Sequence, residues 1–269
     1  MKSFLLIGQS YMAGRGFLRE TTAIYNERIQ MLRNGRWQMM TEPIHFDRPI
    51  AGVGPASSFA EAWCEENKEG IIGLIPCAEG GSAIDEWSPE GAQFRHAVCE
   101  AGFAMESSEL AGILWHQGES DSRGGKYKEY YGKLAVIVEA IRKELAAPEV
   151  PFLIGGLGDY LGKRAFGAGC TEYEKINEEL LRFAKENENC CFVTGKGLTA
   201  NPDGIHINAV SQRVFGLRYF EAYRNRCHIC EPLENEAETV ERLLGRGHTK
   251  AEKTYIALEQ FQRAEAEDC

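Results

Sequence analysis

Short apolar runs alternate with longer helical patterns along most of this chain, and this alternation limits the folds that it can adopt. The apolar runs lie at residues 3–7, 71–76, 112–115, 150–157 and 191–194. Continuous runs of this length are typical of strands that are buried on both faces. Helical patterns lie at about 56–68, 92–109, 124–146, 171–187 and 208–224. The alternation predicts an α/β protein with a parallel sheet between layers of helices.

One segment departs from the alternation. Residues 29–40 contain two further strand-like runs joined by Asn34-Gly35. An Asn-Gly pair in this position strongly favours a hairpin with a type I′ turn. We therefore expect a β-hairpin inserted before the second strand and lying outside the main sheet.

The C-terminal segment differs in character from the rest of the chain. Pro232 ends the preceding helix, and helical patterns follow at about 234–244 and 249–266. This change predicts a main domain at 1–230 and a helical hairpin extension at 231–269.

The second helix of the extension has an apolar stripe. Tyr255, Leu258 and Phe261 recur at three-residue spacing on an otherwise charged helix. Such a stripe needs a surface to cover it. The extension should pack either on the main domain or on a second subunit, which would make the protein a homodimer.

Composition argues against several classes of partner. The chain of 269 residues has a formal net charge of −10, which disfavours nucleic acid and anionic membrane surfaces as partners. No stretch approaches the roughly 20 apolar residues that span a bilayer. The apolar run after Met1 is too short for a signal peptide, and nine cysteines without framework spacing suit a reducing compartment. We therefore expect a cytoplasmic protein.

Cys227 and Cys230 have the Cys-x-x-Cys spacing of half a zinc site. A structural zinc ion needs a second pair of ligands, and Cys190-Cys191 is the only cysteine cluster nearby in the sequence. We therefore predict no metal site.

Ser10 is the candidate nucleophile. It lies two residues after Gly8, where the first apolar run ends, so it should stand at the carboxyl edge of a parallel sheet, where open α/β folds bind ligands. The small residues Ala13, Gly14 and Gly16 let the backbone turn sharply and let a substrate approach closely. A lone serine in such a place is more often a turn or cap residue, so a catalytic role requires partners elsewhere.

Asp203 and His206 are the candidate partners. They lie three residues apart in a segment whose Pro202 and Gly204 suit a tight loop. If the loop folds back, the carboxylate can hold one imidazole nitrogen while the other accepts the serine proton. The alternative is a polar loop in which Asp203 caps a helix. Together with Ser10, the pair supplies the nucleophile, base and orienting acid of a serine hydrolase.

Two further loops follow the second and third apolar runs and should reach the same sheet edge. Gly80-Gly81 exposes backbone N–H groups and Gln117 adds a side-chain amide, so both loops can donate hydrogen bonds to an oxyanion. Taken singly, one is a plain turn and the other a surface loop. Three loops that converge on one edge favour a catalytic site.

Together these segments resemble the SGNH hydrolases, in their sialate O-acetylesterase-like and acetylxylan-esterase branch. The matching blocks, in family order, are Gly8-Gln9-Ser10-x-Met12-Ala13-Gly14-Arg15-Gly16, Gly80-Gly81-Ser82-x-Ile84-x-x-Trp87, Trp115-His116-Gln117-Gly118-Glu119-Ser120-Asp121 and Asp203-Gly204-Ile205-His206. In the third block, this branch has Gln117 where other SGNH enzymes have Asn.

The resemblance implies a three-layer, flavodoxin-like α/β/α sandwich with a central parallel sheet of about five strands. It implies an esterase that removes O-acetyl groups from carbohydrates, such as acetylated xylo-oligosaccharides or sialic acid, without metal or organic cofactor. Ser10 would attack the acetyl carbonyl, His206 would act as base and then acid, and Asp203 would orient His206. The N–H groups of Ser10 and Gly81 and the amide of Gln117 would bind the oxyanion.

Seven other block residues are expected to support the site or contact the substrate: Gln9, Tyr11, Arg15, Ser82, Trp87, His116 and Glu119. Tyr11 stands where the family usually has Asn, so it can narrow the pocket or stack on a sugar ring, and Trp87 can also stack. Glu119 can brace its loop or compete with Asp203 as the acidic residue. We favour bracing, because Asp203 adjoins His206.

Two other functions are compatible with the same segments. An esterase or thioesterase for non-sugar esters is one, but the sequence has no long apolar lid segment. A catalytically silent carbohydrate-binding or scaffold protein is the other. It predicts a degraded triad, whereas Ser10, Asp203 and His206 are all present.

Overall fold

A seven-stranded sheet forms the centre of the protein. The computed structural model describes residues 1–267, with side chains as far as residue 261. The strands are β1 Lys2–Gly8, β2 Ile29–Arg33, β3 Arg36–Met39, β4 Ile72–Pro76, β5 Glu109–His116, β6 Phe152–Gly155 and β7 Cys190–Val193. They lie in the order β3-β2-β4-β1-β5-β6-β7, and all pairs except β2–β3 are parallel.

Helices connect and cover these strands. They are α1 Ser10–Ala13, α2 Ala56–Glu66, α3 Ala92–Met105, α4 Tyr127–Glu144, α5 Tyr173–Glu186, α6 Ala209–Asn225, α7 Glu236–Leu244 and α8 Lys250–Glu267. The α/β fold predicted from the alternation is confirmed. No helix within residues 1–267 is both long and apolar enough to cross a membrane.

The three layers follow from the alternation of side chains along a buried strand. In β1, Phe4 and Leu6 point to one face of the sheet and belong to the core that includes residues of α2, α6 and α7. Leu5 and Ile7 point to the other face and join the core formed with α3, α4 and α5. A strand buried on both faces is therefore apolar at every position, as the sequence pattern indicated.

The hairpin forms as predicted but belongs to the main sheet. Asn34 and Gly35 have φ values of 52° and 70°, which suit a type I′ turn. The expectation that the hairpin lies outside the sheet is wrong, because β2 pairs in parallel with β4, placing Met31 opposite Leu74. Met31 is buried in the core on one face of the sheet and Leu32 in the core on the other. β2 therefore widens the sheet between the two cores. With β3 as an antiparallel edge, the sheet has seven strands instead of about five.

The register brings the candidate loops together. β1 lies between β4 and β5, and Gly8 is paired with His116 at the end of the strands. The chain therefore leaves β1, β4 and β5 at neighbouring points of the carboxyl edge. Ser10, Gly81 and Glu119 follow these strands within a few residues.

The first helix of the extension packs on the main domain. Val240 and Leu243 of α7 are buried in the same core as α2 and α6. Arg218 of α6, which is buried, forms an ion pair with Glu236 of α7 at 2.6 Å. Apolar packing and a largely buried ion pair therefore hold α7 against the main domain, and removing one partner of such a pair is strongly destabilising.

The second helix packs less fully. Glu252 of α8 is buried and forms an ion pair with Arg246 at 3.1 Å. Leu258 and Phe261, from the predicted stripe, remain exposed. The extension thus packs within the chain, and a second subunit on the exposed stripe stays a prediction. The predicted extension ends at residue 269, and residues 268–269 lie outside the described part of the chain.

Candidate active site

A cavity of about 200 Å³ opens at the carboxyl edge of the sheet. Its wall includes Ser10 after β1, Gly81 after β4, Glu119 after β5 and His206 before α6. The other lining residues are Gln9, Ser120, Arg123, Phe166, Gly169, Cys170 and Ile205. Segments far apart in the sequence therefore meet where α/β folds bind their ligands.

Asp203 and His206 form one hydrogen-bonded turn. Oδ1 of Asp203 accepts hydrogen bonds from the backbone N–H groups of Ile205 and His206, both at 3.0 Å, and Oδ2 lies 2.7 Å from His206 Nδ1. Burial alone would raise the pKa of Asp203, but the hydrogen bonds from His206 and Ile205 outweigh burial and lower this pKa below its ordinary value. An ionised Asp203 accepts a hydrogen bond from a protonated Nδ1 of His206. The lone pair of Nε2 is then free to accept a proton.

Ser10 begins α1 and is only 5% exposed. The backbone hydrogen bonding of the sheet continues as far as the residue before Ser10, because the N–H of Gln9 donates to the carbonyl of His116 at 2.7 Å. Within residues 1–267, no group accepts a hydrogen bond from the N–H of Ser10 or of Gly81. Both residues line the cavity, so both N–H groups are available to a developing oxyanion.

The glycine loop is fixed by a buried ion pair. Gly81 has a φ of +84°, a conformation that favours glycine. The N–H of Gly80 donates to Asp47 at 2.9 Å, and Asp47 pairs with the buried guanidinium of Arg15. A Cβ at Gly80 would lie 2.2 Å from that guanidinium. Arg15 therefore supports the loop from beneath, while Gly81 faces the cavity.

Gln117 does not line the cavity, in contrast to its expected role as an oxyanion donor. Its side chain is fully buried, and its Oε1 accepts a hydrogen bond from the Tyr130 hydroxyl at 2.7 Å. Its Nε2 lies close to three acceptors: Asp121 Oδ2 at 2.6 Å, the Ser82 carbonyl at 3.2 Å and Gln9 Oε1 at 3.2 Å. The amide hydrogens are thus donated inside the protein, and they connect the second and third loops.

Gln9 lines the cavity and also has a side-chain amide. Its Oε1 accepts hydrogen bonds from Gln117 Nε2 and from the N–H groups of Gly118 and Ser120, at 3.2–3.4 Å. With Oε1 fixed in this way, Nε2 is the end of the amide that has no hydrogen-bond partner among the described residues. The sequence placed Gln9 only among the supporting residues, and its position directly before Ser10 was the one available signal.

The two aromatic residues expected to stack on a sugar cannot do so. Trp87 and Tyr11 are both fully buried. Trp87 donates from Nε1 to Ser82 Oγ at 2.9 Å, and its ring packs edge-on against Trp115 at 5.5 Å, which makes it a core residue. The exposed aromatic side chain of the cavity is Phe166, at 80% exposure.

Glu119, in the wall of the cavity, forms a buried pair with His116. Oε1 of Glu119 lies 3.6 Å from Nδ1 of His116, and neither carboxylate oxygen has a hydrogen-bond partner among the described residues. The expected bracing of the loop by this carboxylate is therefore not found. Burial raises the pKa of Glu119 to about 8 and lowers the pKa of His116 to about 4. Both groups are neutral near neutral pH.

Four residues of the site escaped the sequence analysis. Asp47 supports the glycine loop, and Asn201 donates from Nδ2 to the carbonyl of Arg15 at 2.8 Å, which joins the His206 loop to the first block. Arg123 and Phe166 line the cavity. Asn201 lies in the segment that contains Asp203, but Arg123 and Phe166 lie in loops without a pattern that marks them.

The two cysteine pairs differ in exposure. Cys227 and Cys230 are exposed, whereas Cys190 and Cys191 are buried. In the described part of the chain, no three His, Cys, Asp or Glu side chains are grouped so that they could hold a metal ion.

The fold is that of the SGNH hydrolases, as the motifs implied. Residues 1–225 match the model of the carbohydrate esterase, sialic acid-specific acetylesterase family, and the chain belongs to this family. It is a carboxylic ester hydrolase of the carbohydrate esterase class.

Known proteins agree with this assignment. A probable carbohydrate esterase of Arabidopsis thaliana is 30% identical over 242 residues, which cover 82% of this chain and 89% of the relative. A solved structure of an Arabidopsis thaliana protein has a TM-score of 0.74 at 28% identity, covering 83% of this chain and 98% of the other. NanS, with a TM-score of 0.69 at 18% identity and coverages of 83% and 96%, shares the fold.

Proposed function

We propose that this protein is a serine esterase that removes O-acetyl groups from carbohydrates through Ser10, His206 and Asp203. The observation that supports it most is the shared cavity: Ser10, His206 and the free N–H of Gly81 all border one small space. A catalytically silent protein would not need these three groups together. Replacing Ser10 by alanine tests this mechanism, with loss of turnover as the expected result.

The geometry supports the following steps. Nε2 of His206 takes the proton of the Ser10 hydroxyl as Oγ attacks the acetyl carbonyl carbon. The C–O bond to the sugar breaks, and His206 returns the proton to the departing sugar oxygen. Water then attacks the acetyl-serine ester with His206 again as base, which releases acetate and restores Ser10. Asp203 keeps the imidazole in the required tautomer throughout.

The size of the cavity favours a short acyl group. A space of about 200 Å³ is below the roughly 300–1,000 Å³ of pockets that enclose whole ligands. It suits an acetyl group, while the sugar would lie at the mouth, beside Phe166. A lipase-like function would need a longer apolar channel.

We expect Gln9, in place of Gln117, to be the third oxyanion donor beside the N–H groups of Ser10 and Gly81. Gln9→Met keeps the length of the side chain but removes the amide. It should lower kcat by roughly 10²–10³, the usual loss for one oxyanion donor, with KM unchanged. Steady-state kinetics on 4-nitrophenyl acetate measure both constants.

Gln117→Met is the matched control. Its amide is engaged inside the protein, so the variant should lose thermal stability while the kcat of the folded fraction stays high. If Gln117→Met lost kcat at constant KM while Gln9→Met kept it, the sequence-based assignment of Gln117 would be restored.

The charge of the cavity favours an acidic sugar. Arg123 lines the cavity, where its charge acts on the Cys170 thiol, and no ion pair found among the described residues includes it. Glu119 is neutral near neutral pH, because burial raises its pKa to about 8, so it does not offset this charge. A carboxylate on the substrate would offset the charge of Arg123, because Arg binds carboxylates through two parallel hydrogen bonds. An O-acetylated sialic acid has this group, whereas an acetylated xylo-oligosaccharide of neutral sugars does not.

Arg123→Gln should therefore separate the two substrates. For O-acetylated sialic acid, kcat/KM should fall roughly ten- to a hundredfold, which corresponds to one charge-assisted hydrogen bond or pair. For acetylated xylo-oligosaccharide it should not change. Lys163→Gln, which removes an exposed positive charge outside the cavity, is the control. An equal fall for both substrates would contradict the preference for an acidic sugar.

Location and assembly are further parts of the proposal. The acidic composition and free cysteines support a cytoplasmic enzyme that acts on small imported sugars, without nucleic acid or membrane partners. The exposed Leu258 and Phe261 of α8 support a homodimer through the extension.

A further inference from the structure

Tyr11, the residue that differs from the family pattern, lies between the nucleophile and the base. It follows Ser10 directly in α1 and is fully buried, so it does not contact a substrate. Its ring stacks on His116, with ring centres 4.8 Å apart and an angle of 24°. It also meets the His206 ring edge-on, at 6.2 Å.

The hydroxyl of Tyr11 connects α1 to the His206 loop. It donates a hydrogen bond to the carbonyl of Ile205, the residue directly before His206. The bonds within the turn fix Asp203 to His206, but they do not fix the turn to Ser10. The Tyr11 hydroxyl provides such a connection, because Tyr11 and Ser10 are neighbours on one short helix.

The His116–Glu119 pair supports the Tyr11 ring through the stacking of His116 on it. Nε2 of His116 lies 3.1 Å from the carbonyl of Gly156, so this nitrogen carries the proton and Nδ1 has a lone pair. Glu119 Oε1 faces that lone pair at 3.6 Å. The two atoms are just beyond hydrogen-bond distance, so a protonated Glu119 that moves slightly closer can donate to Nδ1, whereas an ionised carboxylate would repel its lone pair. The neutral form of Glu119 therefore suits a stable stack of His116 on Tyr11.

We propose that Tyr11 is a positioning residue for His206: its hydroxyl keeps the Ile205 carbonyl, and with it the imidazole, in place over Ser10, while the neutral His116–Glu119 pair supports its ring. This role rests on the proposed function. It assigns a purpose to the replacement of the family Asn by Tyr11, because a short amide side chain offers no ring to stack on His116.

Tyr11→Phe tests the hydroxyl alone. It keeps the ring and its stacking but leaves the Ile205 carbonyl without its partner. We expect kcat to fall about tenfold or more at constant KM, since an unpaired buried acceptor costs roughly one tenfold factor in an equilibrium. The rate at which a fluorophosphonate labels Ser10 should fall by the same factor, because that rate depends on the alignment of His206 with Ser10.

Tyr219→Phe is the matched control. Tyr219 is also fully buried, and its hydroxyl donates to the backbone carbonyl of Trp115 at 2.8 Å, away from the His206 loop. It should lose similar thermal stability but keep kcat and the labelling rate. Equal losses in both variants, or a Tyr11→Phe enzyme with normal labelling, would overturn the positioning role. If Ser10→Ala itself kept turnover, the proposed function would fail instead.

Glu119 variants test the same role without altering Tyr11. Glu119→Gln can still donate to His116 Nδ1, so it should keep kcat near neutral pH, whereas Glu119→Leu should lose kcat as Tyr11→Phe does. In the wild type, kcat should fall above a pH of about 8 as Glu119 ionises, and this fall should disappear in Glu119→Gln. A fall that persists in Glu119→Gln, or full activity of Glu119→Leu, would contradict the role of the pair.

The groups around Glu119 allow this pH dependence to be assigned. Besides His116, the titratable or charged groups that interact with it are Tyr11, Tyr130, Tyr160, Cys170, Tyr219 and Asp121, and Arg123 lines the same cavity. Burial raises the pKa of the four tyrosines well above the ordinary value and that of Cys170 to about 11. None of these five groups ionises near pH 8.

Discussion

Replacing Ser10 by alanine is expected to reduce esterase turnover on the order of 10⁶-fold, the loss that follows removal of the nucleophile from a serine hydrolase. Ser120 and Cys170 also line the cavity, but the Ser120 hydroxyl donates to the Gly81 carbonyl and burial raises the pKa of the Cys170 thiol to about 11, so neither is an activated nucleophile. The backbone N–H groups of Ser10 and Gly81 stay where they are, so a small residual activity from oxyanion binding should remain. Acetate release from an acetylated sugar and 4-nitrophenol release from 4-nitrophenyl acetate measure the loss.

The control for this experiment is Ser120→Ala. Ser120 lines the same cavity, and its hydroxyl donates to the carbonyl of Gly81 at 3.1 Å. It should retain most of the activity, because a hydroxyl that braces a loop contributes only modestly. Unchanged circular dichroism and melting temperature would show that both variants fold. Wild-type turnover in folded Ser10→Ala would contradict the mechanism, because another group would then have to supply the nucleophile, whereas absence of turnover in the wild type would leave a binding or scaffold function.

The sequence predicts the fold well because the signals are local and strong. A segment that is apolar at every position, as in residues 4–7, strongly favours a strand buried on both faces. Asn34-Gly35 likewise determines its turn. The sequence does not show which strand the hairpin joins, because burial of Met31 and Leu32 depends on helices far away in the chain.

The residues of the candidate site also fall into those that the sequence predicts and those that it does not. Ser10, Asp203 and His206 lie in short motifs at strand ends, so the topology brings their loops to one edge. The oxyanion amide was assigned to Gln117 because motif spacing cannot tell a side chain that faces the cavity from one that faces inward. Trp87 and Phe166 are a second example, since only tertiary packing determines that the tryptophan is buried and the phenylalanine exposed.

Two carboxylates, Asp203 and Glu119, lie near the cavity, and a pair of isosteric variants should distinguish their roles. Asp203→Asn should lower kcat about 10⁴-fold, because an amide in this position favours the wrong tautomer of His206 while leaving the geometry intact. Glu119→Gln should keep kcat near neutral pH, since an amide replaces a carboxyl group that is already neutral there. Both effects are measured as kcat on one acetyl ester.

The stability of the same variants provides an independent check. The pKa of Glu119 is about 8 in the folded protein and its ordinary value is 4.5. Between these values the unfolded chain loses its proton while the folded protein keeps it, so this group makes the wild type less stable as pH rises through that window. Glu119→Gln should not show this decline. Its free energy of unfolding, measured in urea, should therefore increase relative to that of the wild type as pH rises. Asp203, whose pKa is lowered, has the opposite sign: its contribution is present above its ordinary value of 3.8 and is lost in acid. If Glu119→Gln lost turnover as severely as Asp203→Asn near neutral pH, Glu119 would have to be ionised there, and the roles of the two carboxylates would be reversed.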